Sequence, residues 1–239
     1  MIFNAGYMTG IGGIEENISK VHRHIFPCHR QKNRFSEILT RALEEIRPDI
    51  VFLAEIRDEP HLQVIKNFFA QNHIDSKYKE GFVSRIIPFF RGNCNGVFLS
   101  EHYPVRKLFL KNGTKKLVYR IDIAEDISLY FSHFALSKKA RKKQFEEMAR
   151  MLAETPDKKV VVAGDFNVFY GFSELEDLMS EANLRIASDL HEHTFPRTNP
   201  TRAIDLFLAS PELKIEKAKV LRNVALSDHL PVVLDLQCA

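Results

Sequence analysis

The apolar positions of the chain change period several times, and each change marks an element. Phe35, Ile38, Leu39, Ala42 and Ile46 recur at the three- and four-residue steps of one helical face, and Pro48 stops that helix. A short apolar run from Ile50 to Ala54 follows as a strand, and Pro60 opens a second helix that turns Leu62, Ile65, Phe68 and Phe69 inward. From Gly81 to Phe134 the period becomes that of strands: Phe82 to Phe90, Gly96 to Ser100, Val105 to Leu110, Leu117 to Ile123 and Ile127 to Phe134. The pairs Tyr103-Pro104 and Asn112-Gly113 break this run, which reads as a meander. A third helix begins near Ser137, with Phe145, Met148, Ala149 and Leu152 on one face, and the buried-type strand Lys159 to Ala163 comes next. A fourth helix, about Ser173 to Ala182, precedes strand-like stretches near Ala203 to Ala209, Lys214 to Val224 and Val232 to Leu236. Strands in runs broken by helices predict an α/β or α+β fold: two stacked mixed sheets flanked by helices. No repeat or linker divides the 239 residues, so one domain is expected.

Composition narrows the class. A hydrophobic content of 45% with 27% charged residues is that of a globular protein and excludes a disordered or fibrous chain. No apolar run reaches the roughly 18 residues of a membrane span, and the opening Met1 to Glu16 lacks a secretory pattern, so a cytoplasmic protein is expected. Cys28, Cys94 and Cys238 are too few and scattered for a disulfide framework and read as free thiols. The net charge of +3 is compatible with a polyanionic substrate without requiring one. Five of the six residues from Lys138 to Lys143 are basic, and they fall at a helix start, where positive charge opposes the macrodipole. That run reads either as a solvated face or as a polyanion contact. Trp is absent and the 19 Phe residues are mostly core, so no aromatic platform for stacked bases is expected.

Chemistry concentrates where apolar strands end. Val160-Val161-Val162-Ala163-Gly164-Asp165-Phe166-Asn167 delivers a carboxylate and an amide after a glycine that permits a sharp turn. Pro48-Asp49-Ile50-Val51-Phe52-Leu53-Ala54-Glu55 delivers a second carboxylate in the same way. Leu226-Ser227-Asp228-His229-Leu230-Pro231 sets two polar residues just before a final apolar strand. Any one segment alone is as well explained by a turn that satisfies its own backbone. Three of them together suit a hard cation such as Mg²⁺, which needs several converging oxygen ligands.

In this order along the chain, the segments resemble the endonuclease/exonuclease/phosphatase superfamily, whose fold is that of deoxyribonuclease I. Gly164 to Asn167 is similar to its Gly-Asp-Phe-Asn, Ser227 to Pro231 to its Ser-Asp-His-Leu-Pro, Ala203-Ile204-Asp205 to its Arg-Ile-Asp and Ser132-His133-Phe134 to its Thr-His-Leu. Gly96 to Ser100 with Tyr103-Pro104 resembles another of its strands; Asn4 stands where its first strand closes, and Glu55 at its metal-binding Glu. The chain departs from the pattern in carrying Arg202 one residue before the Ala203 that precedes Ile204.

The resemblance implies a four-layer α/β sandwich and a phosphoesterase, a nuclease-like phosphodiesterase first of all. In its terms Glu55, helped by Asn4 and Asp228, holds Mg²⁺ or Mn²⁺; Asp165 orients or deprotonates the attacking water; Asn167 fixes a phosphate oxygen. His229, oriented by Asp205, stabilises developing charge, and His133 lies near the leaving oxygen. Asn95 and Arg202 are further candidates for the substrate phosphate. Nucleic acid is favoured slightly over a phospholipid as the partner, and a monomer is expected. A lipid-headgroup phosphoesterase and a non-catalytic scaffold of the same fold are the rival readings. His22, His24, Cys28 and His29 fit no standard zinc spacing and read as a polar loop, and His191 with His193 reads as a loop beside the pocket or in solvent.

Overall fold

The structure, a computed structural model, describes residues 1–8, 29–78, 93–155 and 158–237, without the side chains of residues 8 and 29–32. The expected strand over residues 82–90, the residues His22, His24 and Cys28 and the terminal Cys238 lie outside these. Cys94 is a buried free thiol.

Twelve strands and four α-helices are present among the described residues. In chain order they are β1 (Ile2–Asn4), α1 (His29–Ile46), β2 (Ile50–Ile56), α2 (Gln63–Lys66), β3 (Gln71–Ser76), β4 (Cys94–Leu99), β5 (Val105–Phe109), β6 (Leu117–Ala124) and β7 (Ile127–His133). There follow α3 (Lys138–Ala153), β8 (Lys159–Asp165), α4 (Glu176–Glu181), β9 (Arg185–Ile186), β10 (Asp205–Ala209), β11 (Lys214–Val220) and β12 (Val232–Gln237). They form two six-stranded sheets, ordered β11-β12-β1-β2-β4-β3 and β5-β6-β7-β8-β10-β9. Each sheet has one parallel pair, β1 with β2 and β7 with β8, and its other neighbours run antiparallel. Such parallel pairs need a crossover connection, and α1 and α3 lie in the two crossovers.

Three apolar clusters define four layers. Phe52, Val97 and Leu99 of one sheet meet Tyr119, Leu129, Phe131 and Phe207 of the other between the sheets. Phe145, Met148 and Leu152 of α3 cover the outer face of the second sheet, on Tyr130, Val160 and Val162. Phe35, Leu39 and Leu43 of α1 cover the outer face of the first, on Val51, Leu53 and Phe98. At the end of α1, Arg47 takes a left-handed φ of 50° and donates its N–H to Leu43 O at 2.8 Å, so Pro48 follows a closed helix end. The α/β/β/α sandwich expected from the sequence is therefore present.

Four local expectations differ. The strands between Gly96 and Phe134 are not one meander, because β4 pairs with β2 and β3 in the first sheet while β5, β6 and β7 begin the second. Periodicity reports a strand without saying which sheet receives it. The second helix is a turn of 3-10 helix, Pro60–Leu62, and the four residues of α2, and Phe68 is exposed rather than inward. β3 has the polar sequence Gln-Asn-His-Ile-Asp-Ser and carries no alternation to detect, since it is an edge strand with β4 as its one strand neighbour among the described residues. Within the basic run, Arg141 is fully buried and pairs with the buried Glu174 carboxylate. The remaining Lys138, Lys139, Lys142 and Lys143 are exposed as a solvated face would be.

Candidate active site

Strand direction alone brings the polar strand ends to one rim. β1 and β2 run parallel and end at Asn4 and beside Glu55; β4, antiparallel to β2, begins at the same end with Cys94 and Asn95. β7 and β8 likewise run parallel and end at His133 and Asp165, and antiparallel β10 begins there with Asp205. His133 is the register partner of Asp165, and Asp165 that of Asp205. Directly paired residues of a sheet share a face, so these three side chains project together.

Several hydrogen bonds fix the cluster. Asn4 Nδ2 donates to Asp165 Oδ2 at 2.9 Å and ties the first sheet to the second. Asn4 Oδ1 accepts the Gly6 N–H at 3.1 Å. Ser227 Oγ donates to Asn4 O at 2.6 Å, which seats the loop carrying His229 on the end of β1. His229 Nδ1 then donates to Asp205 Oδ2 at 2.8 Å, and its Nε2 lies 4.0 Å from Asp165 Oδ2. Thr194 Oγ1 accepts the Ile204 and Asp205 N–H groups, each at 3.3 Å, so the loop around Thr194 does border the site. His191 is exposed, and His193 Nδ1 meets Pro200 O at 3.2 Å.

The turn after β8 explains its own sequence. Gly164 has φ +139°, and a Cβ there would stand 1.8 Å from Ser132 O of the neighbouring strand, so only glycine fits. Asn167 has φ 53°, donates its N–H to Asp165 Oδ1 at 3.0 Å and its Nδ2 to Phe134 O at 2.9 Å. Glu55 has the same φ of 53° and sits where the β2–β4 register shifts between Leu53 and Ile56. A bulge of this kind re-aims a side chain at a sheet rim. Asn95 Oδ1 accepts the Glu55 N–H at 3.2 Å and holds the bulge closed.

Four groups face Glu55 Oε1: the Tyr7 hydroxyl at 3.4 Å, Lys77 Nζ at 3.4 Å, Lys115 Nζ at 3.6 Å and His133 Nδ1 at 3.9 Å. Lys77 also bonds the Tyr7 hydroxyl, and Lys115 bonds His133 Nε2. An ammonium only donates, so His133 Nε2 accepts and the ring proton sits on Nδ1, which is buried without a hydrogen-bond partner. His133 Nε2 is also 3.2 Å from Asp165 Oδ2.

These neighbours set the charges. Burial would push the Glu55 carboxyl up, but Lys115, Lys77 and His133 outweigh it and hold the group at about 2. Burial opposes ionisation of Asp165 as well, yet His133 and His229 hold it well below the usual carboxylate range. Burial and the Lys115 charge press His133 down to about 4, so its ring is neutral at pH 7. Burial also works against a charged His229, but Asp205 and Asp165 hold it up at about 10, so it is an imidazolium at pH 7. Burial and the Glu55 charge push the Tyr7 phenol far above its ordinary range.

Of the residues singled out in the sequence, Asn4, Glu55, Asn95, His133, Asp165, Asn167, Asp205 and His229 come together. Asp228 is half-buried on the His229 side, where its charge adds to that of Asp205 and Asp165. Arg202 stands outside the hydrogen-bonded cluster: its exposed guanidinium lies over the Phe169 ring at 5.6 Å. Phe169 meets Phe195 edge-on at 5.9 Å, and Phe195 packs 5.0 Å from the His229 ring. Tyr7, Lys77 and Lys115 were not legible, and Thr194 was expected only as part of the loop beside the pocket. For Lys115 a signal exists, since it continues the inward face of Leu117, Tyr119 and Ile121 along β6. Asp165, Asp205 and His229 offer ligand atoms within 4.8 Å of one another, a group that could hold a metal ion once His229 gives up its proton.

Two stacked mixed sheets with helices outside, and carboxylates, amides and histidines at one rim, are the architecture of deoxyribonuclease I-like phosphoesterases. The profile of the Endonuclease/Exonuclease/phosphatase family matches residues 27–229, and the chain belongs to that family. Its members are phosphoric ester hydrolases, typically metal-dependent, and this chain is one of the hydrolases. No curated protein matches it significantly in sequence. Among solved structures it is similar to a humanized D. rerio TDP2, with 15% identity over 88% of this chain and 94% of that one, TM-score 0.65. The human nocturnin catalytic domain with bound sulfate anion matches at 17% identity over 89% and 88% of the two chains, TM-score 0.67. A family protein from Bacteroides thetaiotaomicron matches at 12% identity over 98% and 95%, TM-score 0.67. No helix among the described residues is long and apolar enough to cross a membrane.

Proposed function

We propose that the chain acts as one domain that hydrolyses a phosphodiester with water at the rim centred on Asp165, assisted by Mg²⁺, for which Mn²⁺ can substitute. The observation that carries this reading is the setting of Asp165. Its two oxygens accept the Asn4 amide and the Asn167 N–H, and two histidines flank it, with all of these groups buried. A carboxylate held so far down is a weak base; its task is to orient the attacking water. Asn167 and the His229 imidazolium face the phosphate oxygens, where positive charge in a dry site favours the charge that develops in the transition state. Asp205 keeps His229 protonated and fixes its ring. The water oxygen forms the new bond to phosphorus as the ester oxygen departs, and the water proton ends on that oxygen.

The residues around Glu55 fit a hard cation. The buried His133 N–H that lacks a partner faces the Glu55 carboxylate across 3.9 Å, and a water carried by a cation would accept it. Glu55 would hold the ion, with Asn4 Oδ1, which keeps a free lone pair beside its bond to Gly6, and Asp228 in support. The ion supplies charge to the phosphoryl oxygens when bound.

Nucleic acid is favoured as substrate by the exposed Lys138, Lys139, Lys142 and Lys143, which begin five residues after His133, and by Tyr170, 69% exposed with the Lys138 ammonium 5.0 Å from its ring. The sulfate carried by the nocturnin structure agrees with an anion site in this fold. A panel of single- and double-stranded nucleic acids beside sphingomyelin and phosphoinositides tests the reading. Mg²⁺-stimulated cleavage confined to nucleic acids is expected, and cleavage confined to the lipids would overturn the substrate class.

A further inference from the structure

Two buried ammonium groups at the carboxylate proposed to hold the metal are an unusual provision. Lys115 reaches Glu55 from two residues before β6 of the second sheet, and Lys77 from the residue after β3 of the first. Their exposures are 8% and 4%, so neither is a surface cation that drifted inward. Burying a charged amine is costly unless a carboxylate pairs with it, and Glu55 is the carboxylate that both of them face.

We propose that Lys115 is the resident counter-ion of Glu55 and that a divalent cation binds only by displacing it, with Lys77 remaining as the anchored second charge. This rests on Glu55 being the metal's carboxylate. The two lysines are held differently, which fixes the order. Lys77 has the Tyr7 hydroxyl and lies over the rings of Tyr7 and Tyr78, at 4.9 and 5.5 Å from their centres, so it keeps an aromatic seat when Glu55 turns to another cation. Lys115 has Glu55 and the neutral ring of His133.

A metal–oxygen distance of roughly 2.1 Å and an ammonium 3.6 Å from the same oxygen put two positive centres in one small volume. The monovalent, tethered one gives way. The chain holds its site in shape without metal, at the expense of metal affinity.

The test is Mn²⁺ binding, measured by calorimetry on the full chain without substrate. Lys115→Met removes the competing charge; Lys115→Gln removes it while keeping a donor near His133. A unit charge at this range alters the binding of a competing cation by about ten-fold or more, so both variants should bind Mn²⁺ at least about ten-fold more tightly than the wild type. Lys77→Met should give a smaller gain. In thermal melts the metal-free Lys115 variants should unfold at lower temperature than wild type, and saturating Mn²⁺ should raise their midpoints by more. Unchanged or weaker Mn²⁺ affinity in both Lys115 variants would overturn the proposal and leave the metal reading intact. Absence of Mn²⁺ binding in wild type and variants alike would overturn both.

Discussion

Glu55 and Asn167 each carry a backbone φ of 53°; for Glu55 this is a conformation that L side chains avoid at a cost of about 1–2 kcal/mol, whereas Asn adopts it more readily. Both stand at the end of an apolar strand, and both are held there by side-chain bonds: Asn95 to the Glu55 N–H, and Asp165 to that of Asn167. Strand ends of this kind were legible because an abrupt step from apolar to acid or amide shows in the letters. The lysines were not, since Lys115 follows the Asn112-Gly113 break and stands outside β6, and only its phase with Leu117, Tyr119 and Ile121 turns it inward. The charge of His229 gives a pH prediction at this scale. Its folded pKa of about 10 lies above the ordinary 6.5, so its contribution to stability is full below 6.5 and is lost as pH rises through 10. Thermal melts of wild type and His229→Gln should therefore differ by several degrees at pH 6 and converge by pH 11. A constant difference across that range would show that Asp205 does not hold the ring protonated.

At the scale of elements, the basic start of α3 shows how one letter pattern can hide two roles. Arg141 is fully buried, donates to Ala135 O and Leu136 O at 2.9 and 2.8 Å, and pairs with Glu174 just before α4. It thus closes the loop between His133 and α3 and joins that loop to α4. Its lysine neighbours are exposed. Charge counting cannot separate them; the helical phase that buries Phe145, Met148 and Leu152 also buries Arg141 and Gln144. Arg141→Met strands the buried Glu174 carboxylate and should cost about 3–5 kcal/mol, read as a fall in the melting midpoint. The double variant Arg141→Met with Glu174→Gln should recover much of that loss. A single variant as stable as wild type would mean the pair is not buried in solution. β3 shows the opposite failure: its polar letters have no period, and only the edge of β4 makes it a strand.

For the whole molecule, the decisive feature is that each sheet has one parallel pair at its middle. Two parallel pairs ending at the same rim bring Asn4, Glu55, His133 and Asp165 together, and the antiparallel β10 and β12 return Asp205 and the His229 loop to it. The two-sheet architecture could be read from strand ends and motif order, as could the gathering of Asn4, Glu55, His133, Asp165 and Asp205 at one rim. The partition of strands between sheets could not, because pairing partners lie far apart in sequence. The account centres on Asp165 and His229 acting on one phosphorus centre, and the rate of bis-p-nitrophenyl phosphate hydrolysis in Mg²⁺ or Mn²⁺ by Asp165→Asn and His229→Ala tests it most directly. Losses of about 100-fold or more with melting curves still cooperative are expected for each; turnover at the wild-type rate in either would contradict it.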